Sequence, residues 1–379
     1  MFQDSLECGG WHEKYFLLLF VPPATAAEWG IFMKACVLHN IGDLRFEEVD
    51  TPKPGKGEAL VRIKASGICG SDIPRIFSKG TYGFPTIPGH EFAGQVVDAG
   101  EGADSKVIGK KAAVFPLLPC RRCDACQIGE YALCGSYNYF GSRCDGGFAE
   151  YIAVPLWNLV MVPGSLSYEE AAMAEPAAVA VHALRQAGVC IGDYVAIFGA
   201  GPIGLMVARW AEAWGAHKVM LADIDGGKVE FARKLGFEHV FNSREGDPVQ
   251  WIYEITGGRG ADVAVEGAGV SSTLEQCFKA ARPLGKVVAM GNPSGEMKLT
   301  QKGYWELLRK QLAVYGTWNS SFVPLPKNDW ELAIRFMECG KLDAKPFITH
   351  RFRLEHCNAA LEMMRERKEF YNKVMFIME

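Results

Sequence analysis

Residues 199–204 read GAGPIG, directly after the run YVAIF and directly before the helical pattern PIGLMVARWAEAWG. Three glycines at that spacing, between a strand and a helix, admit few folds. Gly199 permits a tight turn and Gly201 lets the backbone approach a pyrophosphate. Gly204 lets strand and helix pack closely, with Pro202 and Ile203 opening a helix whose N-terminus faces the phosphates. A second strand-like run, HKVMLAD, ends in Asp223, 19 residues past Gly204. An acid there accepts hydrogen bonds from ribose hydroxyls and repels a 2′-phosphate. No Arg follows at once to hold such a phosphate, so the expected dinucleotide is NAD rather than NADP.

The runs ADVAVEG (261–267), GKVVAMG (285–291) and LAVYGTW (312–318) continue the alternation of strand and helix. Alternation of this kind implies an α/β, doubly wound parallel sheet, with Gly267 and Gly291 at strand ends where a nicotinamide is held. From Lys34 to about His182 the rhythm differs. ALVRIKASG, EFAGQVVDAG, GKKAAVF and GGFAEYIAV are short apolar runs punctuated by Gly and Pro, the patterning of a small β-rich, barrel-like domain. Asp329 to Glu379 reads as two amphipathic helices and a strand, KVMFIM (373–378), returning to complete that first domain. The expected divisions are 33–182, 183–318 and 319–379. Residues 1–32 are read as an over-extended start ahead of Met33. Their apolar YFLLLFV is preceded by Asp4, Glu7 and Glu13 against Lys14, which is not the basic lead of a signal peptide.

Of the 12 cysteines, Cys120, Cys123, Cys126 and Cys134 crowd into PLLPCRRCDACQIGEYALC with the spacing C-x2-C-x2-C-x7-C. Four thiolates on one short loop close a tetrahedron around Zn²⁺ and leave no open position, so this zinc is structural. An iron–sulfur cluster takes a different spacing. Thiolate ligands require reduced cysteines, which points to the cytoplasm. A net charge of −4 gives no electrostatic reason to expect nucleic acid or an anionic membrane as partner, and no apolar run reaches the roughly 18–20 residues that span a bilayer. A second, open zinc site needs fewer protein ligands. Cys69 in GICGSD, His90 and Glu91 in PGHEFAG, and Glu175 in AEPAAVAVHA form a mixed sulfur, nitrogen and oxygen set suited to it. Asp72 is placed to brace His90, and Ser71 to take the proton from an alcohol on the metal.

In order, these residues resemble the zinc-containing medium-chain dehydrogenase/reductase superfamily, from Lys34 to Glu379. The segments CGSDIPRIF (69–77), PLLPC (116–120), FGSRCDGGFAEY (140–151) and GTWNSS (316–321) resemble its galactitol-phosphate dehydrogenase branch, with sorbitol and threonine dehydrogenases further off. The resemblance implies a GroES-like catalytic domain split around a Rossmann domain, an active site in the cleft between them, and a homodimer or homotetramer. It also implies that Cys69, His90 and Glu175 carry the catalytic zinc, with Glu91 as an alternate ligand. One departure is Pro74, where many members of the superfamily place a His that ends a proton relay. The relay must then leave Ser71 through the nicotinamide ribose or water.

The expected activity is oxidation of a secondary alcohol of a polyol or polyol phosphate to a ketone, with galactitol 1-phosphate to tagatose 6-phosphate as the leading case. A phosphorylated substrate needs a cation, and Arg75, Lys79 and Arg143 lie in the matching segments, with Arg143 the preferred anchor. A dinucleotide-binding protein without catalysis predicts a missing zinc ligand, yet Cys69, His90 and Glu175 are all present. Trp305 and Trp318 are expected in the core, with a place at the cofactor or the subunit interface as the alternative. Cys36, Cys144, Cys190, Cys277, Cys339 and Cys357 are expected to behave as small apolar side chains.

Overall fold

The computed structural model describes residues 30–293, 295–324 and 328–379. The start expected before Met33 lies mostly outside the described residues. Met33 itself sits in a strand, Phe32–Asn40, paired antiparallel with Asp43–Asp50.

The dinucleotide half is a six-stranded parallel sheet. Its order is His239–Asn242, Lys218–Asp223, Tyr194–Phe198, Ala261–Glu266, Ala281–Ala289, Ala313–Gly316. Every residue of Ala261–Glu266 is buried, as a strand covered by helices on both faces requires. The chain order reverses between Tyr194–Phe198 and Ala261–Glu266, so a crevice opens outside the carboxyl ends of those two strands, where such sheets take their ligands. The strand His239–Asn242 escapes the sequence reading because only four residues long and half-buried, it shows no apolar run.

The second sheet is mostly antiparallel. Glu58–Ile68 lies at its centre, flanked by Glu91–Ala99 on one side and Lys373–Ile377 on the other, with Tyr151–Pro155 also pairing to it. Ile348–Arg353 adds a parallel edge beside Lys373–Ile377. That strand, ITHRFR, carries alternating basic residues and was not evident in the sequence. The C-terminal residues therefore do join the sheet built by residues 58–155. Helix Asp329–Glu338 packs elsewhere, on helix Ala174–Ala187, which in turn packs on helix Pro202–Ala213. One apolar core runs through all of these elements, from Ala65 and Phe115 through Leu184 and Leu205 to Trp330 and Met375. Phe115 stacks on Phe322 at 4.3 Å between ring centres and meets Trp330 edge-on at 5.5 Å.

Two expectations fail at the surface. Trp305 and Trp318 are 46% and 58% exposed rather than buried, because the helix Gln301–Arg309 and the edge strand Ala313–Gly316 have no neighbour beyond them. Cys190 and Cys339 are exposed, at loop and helix-end positions, whereas Cys36, Cys277 and Cys357 are buried as expected. Among the described residues, no helix is long and apolar enough to cross a membrane.

The turn at 199–204 shows why glycine is needed there. Gly199 has φ +112°, a left-handed backbone that side chains disfavour, and a Cβ on Gly204 would overlap the Gly199 carbonyl. Gly204→Val should therefore lower unfolding free energy by about 3 kcal/mol, as overpacking does, seen as a lower denaturant midpoint at unchanged slope.

Candidate metal and cofactor site

Strand register assembles the candidate metal site. Glu58–Ile68 pairs with Glu91–Ala99 so that Gly67 faces Glu91, and with Lys373–Ile377 so that Ile68 faces Val374. The residues just past those pairs are Cys69, His90 and Lys373, so three chain segments deliver their polar groups to one point. Gly67 is required because a Cβ there would overlap the Glu91 carboxylate.

Donor atoms of Cys69, His90 and Glu91 all lie within 4.8 Å of one another. Asp72, fully buried, ties the group together. Its Oδ2 accepts from the Cys69 N–H at 2.9 Å, and its Oδ1 accepts from Arg75 Nη1 at 3.2 Å. The same Oδ1 lies 3.4 Å from His90 Nδ1, but out of line, so that ring nitrogen is buried without a hydrogen-bond partner. Burial disfavours charge on both groups, yet mutual attraction prevails: the Asp72 carboxyl is held below its ordinary range and His90 well above its own. A buried imidazole beside a thiol and a carboxylate, with Asp72 facing one of its ring nitrogens, is a donor set that fits a divalent cation.

Of the two carboxylates expected to serve the metal, Glu91 is the one grouped with Cys69 and His90. Glu175 lies outside that circle and its Oε1 accepts from the Tyr139 hydroxyl at 3.4 Å. Burial, then the charge of Glu91, pushes the Glu175 carboxyl up to about 7. Glu91 is held by Lys373, whose Nζ donates to both carboxylate oxygens at 2.6 and 2.8 Å, with both side chains buried. The sequence offered no sign of Lys373, since a lysine opening an apolar strand is ordinarily solvated.

Ser71 Oγ accepts from Arg75 Nη1 at 3.0 Å, so Arg75 spans Ser71 and Asp72 at the edge of the cluster. Arg143 is more committed. Its guanidinium is sandwiched between Tyr82 and Tyr137 at 4.4 and 4.2 Å, and Nη1 donates to the Tyr137 carbonyl at 2.7 Å. Tyr137 meets Tyr139 edge-on, and Tyr139 in turn packs on His90, so Arg143 joins the site through an aromatic chain. Lys79 closes the short helix after Arg75.

In the cysteine lobe the four sulfurs also lie within 4.8 Å of one another. Cys120 and Cys126 Sγ stand 3.9 Å apart, close to the edge of about 3.8 Å that a tetrahedron with 2.3 Å Zn–S bonds requires. Backbone N–H groups of Arg122 and Cys123 pull the Cys120 thiol down to about 6, while burial and Cys123 push Cys126 up to about 12. Four thiols so packed need a cation before all can ionise.

At the dinucleotide turn, helix Pro202–Ala213 begins with Pro at its first position, and the space a Cβ on Gly201 would enter is open. Asp223 Oδ2 accepts from the Ala200 N–H at 2.7 Å and Oδ1 from the Asp225 N–H at 2.9 Å, so this acid also braces the turn. Lys228 Nζ stands 3.6 Å from Asp223, a cation beside that acid that the sequence reading missed. Gly267 donates to the Phe198 carbonyl at 2.8 Å, and Gly291 to the Glu266 carbonyl at 2.8 Å, which sets both glycines at the mouth of the crevice.

With this architecture, the chain belongs to the zinc-binding dehydrogenases of the medium-chain dehydrogenase/reductase superfamily. The alcohol dehydrogenase GroES-like domain matches residues 55–164 and the zinc-binding dehydrogenase domain residues 202–338. The chain is similar to galactitol 1-phosphate 5-dehydrogenase of Escherichia coli K12, 38% identical over 84% of this chain and 92% of that protein. It is also similar to sorbitol dehydrogenase of Bacillus subtilis, 34% identical over 90% and 96%. A crystal structure of galactitol-1-phosphate dehydrogenase from Escherichia coli superposes with a TM-score of 0.86 at 36% identity, covering 91% of this chain and all of that one. An alcohol dehydrogenase from the same species, solved with NADH, superposes at 0.84 with 27% identity over 92% of this chain and all of that one. The protein is thus an oxidoreductase of the zinc-dependent alcohol and polyol dehydrogenase type, using zinc and a nicotinamide dinucleotide.

Lys373→Met would strand the buried Glu91 charge. The expected loss is about 3 kcal/mol of stability, read as a lower denaturant midpoint, with partial recovery when Glu91→Gln is added.

Proposed function

We propose that this enzyme oxidises a secondary hydroxyl of a polyol phosphate to a ketone with NAD, galactitol 1-phosphate being the leading substrate and tagatose 6-phosphate the product. The observation that carries it is the convergence of Cys69, His90 and Glu91 beside a serine whose hydroxyl is already engaged by an arginine. Bound zinc supplies Lewis acidity toward the substrate oxygen, and bound NAD supplies the hydride acceptor. Cys69 and His90 hold the metal, and Glu91 and Glu175 alternate as its carboxylate ligand, with Lys373 holding Glu91 when it is released. Asp72 fixes His90. Gly199, Gly201 and Gly204 with Pro202 and Ile203 cradle the pyrophosphate, Asp223 and Lys228 hold the adenosine ribose, and Gly267 and Gly291 flank the nicotinamide.

Ser71 handles the proton. Arg75 occupies one lone pair of its oxygen, leaving the other to accept from the substrate while the serine's own proton passes to water. Arg75 is permanently charged and cannot itself receive that proton, and with Pro74 where a relay His would stand, the proton leaves Ser71 through water or the nicotinamide ribose. Polyol chemistry is common to both curated relatives, and the phosphate is read from Arg75 and Arg143. Arg75 stands nearest the metal cluster, and Arg143 keeps Nε free of the Tyr137 carbonyl bond.

The catalytic part is read as 33–182 with 319–379, around the Rossmann part 183–318. The partner fitting the edge strand Ala313–Gly316 is a second copy of the chain: Val314, Tyr304, Trp305, Leu308 and Trp318 form an exposed apolar border beside unpaired backbone.

Cys69→Ser should cut kcat at least about 1000-fold and reduce zinc from two ions per subunit to one, with NADH binding retained. Near-normal turnover would overturn the site assignment. Arg143→Ala should raise KM for galactitol 1-phosphate about tenfold or more and leave galactitol itself little changed, whereas Arg75→Ala, which also frees Ser71 and Asp72, should slow both alcohols. Equal effects of Arg143→Ala on both alcohols would remove the phosphate reading and favour a free polyol of the sorbitol type.

A further inference from the structure

Glu266 ends the central strand Ala261–Glu266 with its side chain 1% exposed. One carboxylate oxygen, Oε1, accepts three neutral donors: the N–H groups of Ala268 and Gly269, each at 2.8 Å, and the Thr273 hydroxyl at 2.7 Å. The other oxygen, Oε2, faces Gly291, close enough that a Cβ there would be 2.6 Å away. Among the described residues no Lys, Arg or His pairs with this carboxylate. A buried anion without a counter-ion is costly. Its location supplies the missing partner. The Glu266 carbonyl accepts from the N–H groups of Met290 and Gly291, and Gly267 is bonded to Phe198, so the carboxylate lies beneath the two turns that flank the nicotinamide in the reading above. The nicotinamide ring carries a positive charge in NAD⁺ and none in NADH.

We infer that Glu266 is the fixed counter-charge for the oxidised nicotinamide ring, biasing the enzyme toward holding NAD⁺ and thus toward alcohol oxidation. The three neutral donors, at the start of helix Ser271–Ala280, stabilise the anion without cancelling it. The low-dielectric setting lets its field act over the thickness of a turn. Glu266 works through the ring's charge and makes no bond to substrate, which makes it a positioning and tuning residue. The inference rests on the proposed nicotinamide location.

The test is calorimetric binding of NAD⁺, NADH and ADP-ribose to the zinc-loaded enzyme at fixed pH and salt. ADP-ribose lacks the ring and reports the turn geometry alone. Glu266→Gln keeps an oxygen to accept the three donors and removes only the charge. The expected result is a shift of about fivefold in the ratio of NAD⁺ to NADH affinity, toward NADH, with ADP-ribose affinity unchanged. Glu266→Asp, which keeps the charge, should keep the ratio even where both affinities fall. A ratio unmoved by Gln, or moved as far by Asp as by Gln, overturns the inference, as does parallel weakening of all three ligands. If the wild-type enzyme binds ADP-ribose but neither nucleotide better, the nicotinamide location itself is wrong, and the inference falls with it.

Discussion

The antiparallel register of three strands governs this molecule. Gly67 must face Glu91, and Ile68 must face Val374, for Cys69, His90 and Lys373 to arrive together. A slip of one residue in either pairing would turn every side chain of the moved strand to the opposite face. The metal site is therefore a by-product of sheet formation rather than of loop choice, and loops contribute mainly the bracing groups Asp72 and Arg75. The Rossmann half follows the same logic with a parallel sheet, whose strand ends deliver Gly199, Glu266 and Gly291 to one crevice.

The two halves are joined by packing more than by polar contacts. Phe115, Phe322 and Trp330 form an aromatic knot between the β-rich sheet and the helices leading to the Rossmann sheet. Beside it Asp329 is fully buried, bonded to the Ser321 N–H, to His182 at 3.0 Å and to Arg185. Helix Ala174–Ala187 carries both Glu175 at its start and His182 and Arg185 near its end. This one rigid element spans from the metal cluster to the knot.

Much of this was legible in the residues because the relevant signals are local. GAGPIG with its flanking strand and helix, and four cysteines within fifteen residues, specify their own geometry. Long-range partners were not legible. Lys373 is 282 positions from Glu91, and nothing near it in sequence marks it as buried. Glu266 drew no reading from the sequence, because its donors come from the turn that follows and its setting from a crevice built by other strands. Nor does spacing along the chain report which of two acids, Glu91 or Glu175, is turned toward Cys69 and His90. Tryptophans 305 and 318 were assigned to a core by hydrophobicity, which carries no information about the edge on which a sheet stops.

Lys373 also imposes an order on assembly. Cys69, His90 and Glu91 leave the ribosome almost 300 residues before their lysine does. During that interval Glu91 has no resident cation and the sheet lacks two strands, so the half-built pocket is acidic and open. The candidate ligands Cys69, His90, Glu91 and Glu175 are all in the chain by residue 175, so the last strand supplies none of them. What the last strand adds is the cation that neutralises Glu91, so this carboxylate gains its buried partner only when the tail zips into the sheet.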